Sequence, residues 1–415
     1  MSTPDDVLQR AMNAHDAGRL TEAEVGYSRV LRKRPTDYQA LYGLGVMSFF
    51  AGAADKGIQY MTRSLESAPG HGRGWNALGS MYLATGRTVE AKDAYRKATE
   101  VTPDMSDAWF NVGLCLQREG DLDGAAEQFR RAIACPVPTS GAFGALAALY
   151  NEQGRLTESA QTVAEWVRRE PDHPIAVHMA AAAGASNGET PSRASDAYVR
   201  ILFDSVAEGF DRSLGGLKYC APELVANALN AAAATGSHVP LFPVVLDAGC
   251  GTGLCGPPLR ALCRTLVGVD LSPNMLAQAK RRGCYDELVN GELVAFLRSR
   301  PAAFDAIVCA DTFIYFGDLA EALAAAHGAL RAGGPLILTV EALPEEEGID
   351  HRLEFSGRYA HSETYLRRAL AANGFEVQSL TRETLRQERG SAAGGYVVHA
   401  RREQAGLRRT STPAD

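Results

Sequence analysis

Glycines at 18, 52, 86, 120 and 154 stand 34 residues apart. Prolines at 35, 69, 103 and 171 keep the same step, and Val137, between two prolines, occupies the missing position. A period of this length, kept five times, restricts the first half of the chain to an array of like units. Each unit is too small to bury its apolar face alone, so the stack is what folds. In the clearest copy Trp75, Leu78, Gly79 and Tyr82 share one face of a first helix, while Ala91, Tyr95 and Ala98 share a face of a second. Gly86 closes the turn between them, where glycine adopts a positive φ readily.

The same slots are filled by Trp109, Val112, Gly113, Leu116, Ala125, Phe129 and Ala132, and more loosely by Leu41, Leu44, Gly45 and Met61. This half therefore resembles the tetratricopeptide repeat. The resemblance implies an all-α superhelix in which small residues let paired helices approach, with a groove that takes a protein or peptide partner. A scaffold that only assembles or shields the next domain is the alternative. Many such domains hold a C-terminal carboxylate with basic and amide side chains. Here the corresponding positions carry Tyr42, Asn76 and Phe110, preceded by Gln39, Arg73 and Asp107. One arginine does not make a carboxylate clamp, so an extended, apolar segment suits the groove better.

The 415 residues are 46% hydrophobic and 22% charged, a balance that fills real cores and excludes wholesale disorder. The length also excludes a single small domain. A net charge of -7 without a long basic block argues against capture of nucleic acid. Residues 1–6 lack the basic and apolar regions of a signal peptide, and Asn, Gly, His and two prolines break the longest charge-poor run, 224–246. A soluble cytoplasmic protein with no membrane span is expected. Eight cysteines form no Cys-x-x-Cys pair and no zinc spacing, so they read as buried free thiols, with no metal site expected.

After Pro171 the period fails, and residues 180–195, rich in Ala, Gly, Ser and Asn, read as a helix end and a flexible connection. The domain boundary is placed near residue 190. The expected organisation is five repeats over 1–173, a linker over 174–198, an α/β domain over 199–402 and a disordered tail over 403–415.

In the second half, short apolar runs at 244–247, 266–270, 306–309 and 336–340 are each followed by a helix-compatible stretch, the pattern of a parallel sheet covered on both faces. Ligands of such sheets sit beyond the strand C-termini. The first run ends in Asp247-Ala248-Gly249-Cys250-Gly251-Thr252-Gly253, and the second ends in Asp270. The glycines let the backbone pass close under a ligand, and an acidic residue ending the next strand can accept both hydroxyls of a ribose. A dinucleotide-binding fold carries such a turn as well.

The Gly-x-Gly-x-Gly spacing resembles the first motif of class I S-adenosylmethionine-dependent methyltransferases. Further motifs extend that resemblance: Leu271-Ser272-Pro273-Asn274-Met275-Leu276, Asn290-Gly291-Glu292-Leu293, 304–311 and Leu330-Arg331-Ala332-Gly333-Gly334. Together with the repeats, the segment Phe203-Asp204-x-x-Ala207-x-x-Phe210-Asp211 and the run 357–362 resemble bacterial tetratricopeptide-repeat methyltransferases. The implied fold is Rossmann-like, a mostly parallel seven-stranded sheet with an antiparallel last strand. The implied cofactor is S-adenosyl-L-methionine. Asp270 would bind the ribose diol. Asp247 would orient the glycine loop and, through water, the methionyl ammonium group. Gly249, Cys250, Gly251, Gly253, Leu271, Met275 and Glu292 would complete the cofactor site, Glu292 reading the adenine amino group where an aspartate is more usual. Residues 199–219 would form a helix over the cofactor, with Tyr219 on the methionyl carboxylate; simple packing on the sheet is the alternative.

The acceptor is not legible. Candidates for base or acceptor contact are Asp311, Glu341, Arg358 and His361, the histidine having the pKa best matched to base work near neutrality. Arg358 would suit a carboxylate or phosphate. The sequence Asp311-Thr312-Phe313-Ile314-Tyr315 lacks the Asn/Asp-Pro-Pro-Tyr motif of amide and adenine N-methyltransferases, which favours a small-molecule acceptor. A protein substrate recruited by the repeats and a non-catalytic adaptor are the other readings. Segments 375–380 and 396–400 read as a final antiparallel pair joined by a connection over 381–395, whose Arg386, Glu388 and Arg389 read as a solvated charge run, with substrate contact as the alternative.

Overall fold

The computed structural model describes residues 3–185, 190–233, 242–344, 348–388 and 391–403. The chain divides into two compact units, Met1–Trp166 and Val167–Asp415.

The first unit is built of helix pairs: α1 (Pro4–Asp16) with α2 (Leu20–Lys33), α3 (Tyr38–Phe50) with α4 (Ala54–Ser67), α5 (Gly72–Ala84) with α6 (Thr88–Val101), α7 (Ser106–Glu119) with α8 (Leu122–Ala134), and α9 (Ser140–Glu152) with α10 (Leu156–Arg169). Gly18, Gly52, Gly86, Gly120 and Gly154 have φ between +72° and +85°, and a Cβ on any of them would meet open space. Backbone conformation, not crowding, therefore keeps these five positions glycine. Gly79 and Gly113 are glycine for the opposite reason. A Cβ there would stand 2.6 Å from the Tyr95 ring and 2.5 Å from that of Phe129, so the first helix of each pair is hollowed to seat the aromatic residue of the second. Trp75 and Trp109 repeat one bond, each indole N–H donating to the carbonyl of the proline six residues earlier.

The second unit opens with α11 (Pro174–Ala182), α12 (Asp196–Val206), α13 (Phe210–Gly216) and α14 (Ala221–Ala233). Then follow β1 (Phe242–Ala248), α15 (Gly256–Arg260), β2 (Cys263–Asp270), α16 (Pro273–Arg282), β3 (Glu287–Asn290), α17 (Leu293–Ser299), β4 (Ala306–Cys309), α18 (Ala320–Ala329) and β5 (Pro335–Ala342). The chain closes with β6 (His351–Leu353), β7 (Tyr359–His361), α19 (Glu363–Ala372), β8 (Phe375–Glu388) and β9 (Ser391–Arg402). The sheet runs β3-β2-β1-β4-β5-β9-β8, parallel except for β9, which lies antiparallel to both neighbours. This is the Rossmann-like, mostly parallel seven-stranded sheet expected from the sequence. The short antiparallel pair β6 and β7 is added at the far end of β5, so that Glu341 is flanked by Gly395 on one side and Ala360 on the other.

Side chains of the central strands alternate between two cores, as the two-residue period requires. Leu246, Val267, Ile307 and Leu336 pack under α17, α18 and α19, while Val245, Leu266, Val308 and Ile337 pack under α14 and α15.

Two segments differ from the sequence expectation. Within the expected linker 174–198, α11 is helical, and Ser192 and Ala194 bond to the backbone that follows β4. The hydroxyl of Tyr359 also donates to the Pro191 carbonyl, which ties this stretch to the second unit. Residues 186–189 of that segment, and the expected tail except Glu403, lie outside the described residues. The second difference is the connection expected over 381–395, which is mostly strand: β8 and β9 stay paired out to Glu388 and Ser391, with irregularities after Val377 and Thr384.

Candidate active site

The turns after β1, β2, β3 and β4, the end of β8 and the helices α12 and α13 line a cavity of about 400 Å3. Such a volume is typical of small-molecule sites. The three glycines after β1 all have positive φ, and each for its own reason. A Cβ on Gly249 would fall on the Thr312 side chain, and one on Gly253 would stand 2.9 Å from the Tyr285 ring. One on Gly251, at φ +53°, would project into open space within the cavity wall. Of the three, only Gly251 leaves room for a ligand; Gly249 makes way for Thr312 and Gly253 for Tyr285. The loop is held by Val269, whose carbonyl accepts from both the Gly249 and Cys250 N–H groups.

Asp270 ends β2 at the cavity wall. One carboxylate oxygen accepts the Gly251 N–H at 2.9 Å and the other the Ser272 N–H at 2.8 Å. A carboxylate has about four lone-pair directions, so two remain for a ligand. Burial pushes its pKa up, against the pull of these N–H donors. Asp247 lies beneath the loop, fully buried and off the cavity wall. It accepts the Tyr285 hydroxyl at 2.6 Å on Oδ2, while Oδ1 has no partner. Desolvation raises its pKa to about 7, against the Tyr285 bond.

Cys250, Leu271, Tyr219 and Glu292 line the cavity. Glu292 caps α17, accepting from the Val294 and Ala295 N–H groups, and pairs with Arg193 at 2.8 Å. Burial pushes its pKa up, but the cap and Arg193 outweigh it. Met275 is fully buried and off the cavity wall, its N–H donating to Ser272.

Asp311 and Arg358 also line the cavity. Asp311, just past β4, has φ +51°, a left-handed conformation uncommon outside glycine. Its N–H donates to Thr339 Oγ1 at 2.8 Å, and its Oδ1 accepts the same hydroxyl at 2.6 Å. Burial raises its pKa. His361, the candidate base, lies off the cavity wall. It is fully buried, with Nε2 donating toward the Phe316 and Gly317 carbonyls at 2.9 and 3.1 Å, and desolvation lowers its pKa to about 4. It bonds the loop that follows β4 and does not line the cavity.

Two further groups of residues belong to the site. Arg386 and Glu388 line the cavity, as the alternative to a solvated charge run has it. Arg386 is 4% exposed and binds Glu341, Glu388 at 2.6 Å and Asp311 at 3.4 Å. The break in register after Thr384 puts Leu385 and Arg386 both inside, which strict alternation forbids. No sequence signal marks that bulge. The second group is Asp204 and Asp211, each next to a phenylalanine of the cavity wall. Asp204 accepts from the Ser272 hydroxyl at 2.5 Å and the Asn274 N–H at 3.3 Å. Asp211 accepts from the Thr252 hydroxyl at 2.6 Å and pairs with Arg282. The doublets Phe203-Asp204 and Phe210-Asp211, seven residues apart, are the signal: each pairs a cavity wall residue with a latch onto the loops after β1 and β2.

In the first unit Tyr42, Arg73, Asn76 and Asp107 line a concavity. Among the described residues no group of three or more His, Cys, Asp or Glu side chains could hold a metal ion, and no helix is long and apolar enough to cross a membrane.

Comparison with known proteins agrees with this division. A family profile described as a methyltransferase domain matches residues 246–338, and the tetratricopeptide repeat profile matches 8–72, 50–100 and 76–137. Cellulose synthase operon protein C of Xanthomonas axonopodis pv. citri is 31% identical over 175 residues, 38% of this chain and 11% of that protein. Human methyltransferase-like protein 27 is 40% identical over 88 residues, 21% of this chain and 35% of that protein. This chain therefore spans only a minor part of these relatives. Among solved structures, 1,6-didemethyltoxoflavin-N1-methyltransferase of Burkholderia thailandensis is 23% identical, with a TM-score of 0.39, covering 49% of this chain and 87% of that one. With its repeat array and its glycine loop under a β3-β2-β1-β4-β5-β9-β8 sheet, the chain joins a tetratricopeptide-repeat region to a class I S-adenosylmethionine-dependent methyltransferase domain.

Proposed function

We propose that this protein transfers a methyl group from S-adenosylmethionine to a small-molecule acceptor in the cytoplasm, with the repeats binding a protein or peptide partner. The observation that carries the reading is Asp270, a half-buried carboxylate on the cavity wall with lone pairs left toward the cavity and fixed to the Gly251 N–H. The residues present fit the cofactor: Gly251 leaves a space that a side chain would fill, and the apolar side chains of Phe203, Phe210, Leu271 and Leu293 line the same cavity. S-Adenosylmethionine supplies, when bound, a methyl group made electrophilic by its sulfonium charge.

The protein's own contribution is positioning, exclusion of water and acceptance of a proton. Asp270 binds the ribose diol, and Cys250 and Leu271 pack beside the nucleoside. Glu292 faces the base while Arg193 and the α17 cap hold it in place. Asp247, Gly249, Gly253 and Met275 act from beneath, keeping the loop in shape. Tyr219 faces the methionyl end. Asp311 is the proton acceptor, because its raised pKa brings a carboxylate nearer to neutrality and its Arg386 contact is long. Arg358 positions acidic side chains, and His361 is assigned no proton transfer. The cysteines among the described residues are unpaired, which suits a reducing compartment. The repeats occupy 1–173 and the catalytic domain extends to 402, with α11 as its first helix.

Calorimetry on the full-length protein tests the reading, with S-adenosylmethionine, S-adenosylhomocysteine and NAD titrated separately. Micromolar binding of the sulfur pair and none of NAD is expected; NAD binding alone would overturn it.

A further inference from the structure

Just past β4, at the end of β5, just before β7 and at the end of β8 stand the members of an ionic cluster of two arginines and three carboxylates. Arg386 spends Nε on Glu388, one terminal nitrogen on Glu341 and the other on Asp311. Arg358 donates to Glu388 at 2.7 Å, and its Nε lies 2.6 Å from Glu341 Oε1. Both guanidinium groups therefore already face carboxylates of the protein. Glu388 receives both arginines on one oxygen, Oε1; among the described residues no donor reaches its Oε2. Its side chain is 38% exposed and belongs to the cavity wall. Over the whole wall, Arg193, Arg358 and Arg386 face the carboxylates of Asp196, Asp270, Glu292, Asp311 and Glu388.

An anionic acceptor would have to displace Glu341 or Glu388 from an arginine, leaving a carboxylate unpaired, and would face a surplus of like charge. A cationic head meets the opposite situation, with an acceptor oxygen ready at Glu388. The remaining wall here is aromatic and aliphatic: Phe203 and Tyr315 meet edge to face at 5.5 Å, with Leu217 and Ile314 nearby on the cavity surface. We infer that the methyl acceptor is an amine-bearing small molecule with an apolar, ring-sized body, and that Glu388 selects its ammonium head over a carboxylate or phosphate. This rests on the methyltransferase reading above and assigns Arg358 the reverse of its expected role as an anion receptor.

Binding of 2-phenylethylamine and phenylacetate to the full-length protein, measured by calorimetry with S-adenosylhomocysteine saturating, tests the inference. The amine is expected to bind at least about tenfold more tightly than the acid, and Glu388→Gln is expected to erase most of that preference. S-Adenosylhomocysteine binding by the variant is measured alongside and shows that the variant is folded. Tighter binding of the acid, an unchanged preference in Glu388→Gln, or failure of both probes while S-adenosylhomocysteine binds would overturn the inference alone. Failure of S-adenosylhomocysteine to bind the wild-type protein would instead overturn the underlying reading.

Discussion

Asp270 holds two loop N–H groups and still presents lone pairs to the cavity. Removing it costs the loop tether and, on the proposed reading, the bonds to the ribose. Charged hydrogen bonds contribute about 1.5–3 kcal/mol each, so Asp270→Ala is expected to weaken S-adenosylhomocysteine binding by about one to three orders of magnitude in calorimetry. Asp247 makes a different kind of statement, about pH. Its folded pKa of about 7 lies above the 3.8 ordinary for an aspartate, so the native state keeps a proton that the unfolded chain releases. Its contribution to stability is therefore full below the unfolded value, declines as pH rises through the interval, and is lost above about 7. Asp247→Asn keeps an acceptor for Tyr285 and cannot ionise. Its melting temperature relative to wild type is expected to rise between pH 5 and pH 8, by the equivalent of about 1.4 kcal/mol for each tenfold difference in proton affinity between the folded and unfolded chain; a difference independent of pH would contradict the assignment.

At the scale of elements, the paired repeat helices depend on glycine sockets. Gly79→Ala would place a methyl group against the Tyr95 ring with nowhere to go, and a loss of about 1–3 kcal/mol is expected in urea unfolding. The same substitution at Gly86 fails for another reason, its φ of +79°. The helices α12 and α13 are fastened by two carboxylates rather than by a broad core: Tyr198 is the single buried residue of α12, and α13 has none. Asp204→Ala and Asp211→Ala are each expected to speed limited proteolysis within residues 199–219 and to weaken S-adenosylhomocysteine binding by about tenfold. The long hairpin β8 and β9 shows what an irregularity does. The break after Thr384 turns Arg386 inward, and a residue that reads as surface charge becomes the centre of the ionic cluster.

For the whole molecule, the division after Trp166 sets where the chain can be cut. Helix α11 belongs with the second unit, since His178 bonds the Gly357 carbonyl at 2.9 Å and stacks on Tyr198. A fragment of residues 167–415 is expected to bind S-adenosylhomocysteine as the full chain does, whereas one starting at residue 191 is expected to melt at a lower temperature; scanning calorimetry of the two compares them. Repetition made the first unit legible, because a five-fold period averages over the noise of any single helix. The second unit was legible where the chain makes local structure: apolar runs that became β1, β2, β4 and β5, and a glycine turn whose φ values follow from residue type. Local sequence thus determined the repeat array, the α/β sheet, the glycine loop and the carboxylate at the end of β2, since each rests on periodicity or on the backbone freedom of neighbouring residues. Only the tertiary structure decided that Gly249 serves Thr312, that His361 is sealed behind two carbonyls, and that Arg358 and Arg386 are neutralised by Glu341 and Glu388. Those outcomes depend on which distant strands lie side by side and on one bulge, and no spacing along the chain encodes them.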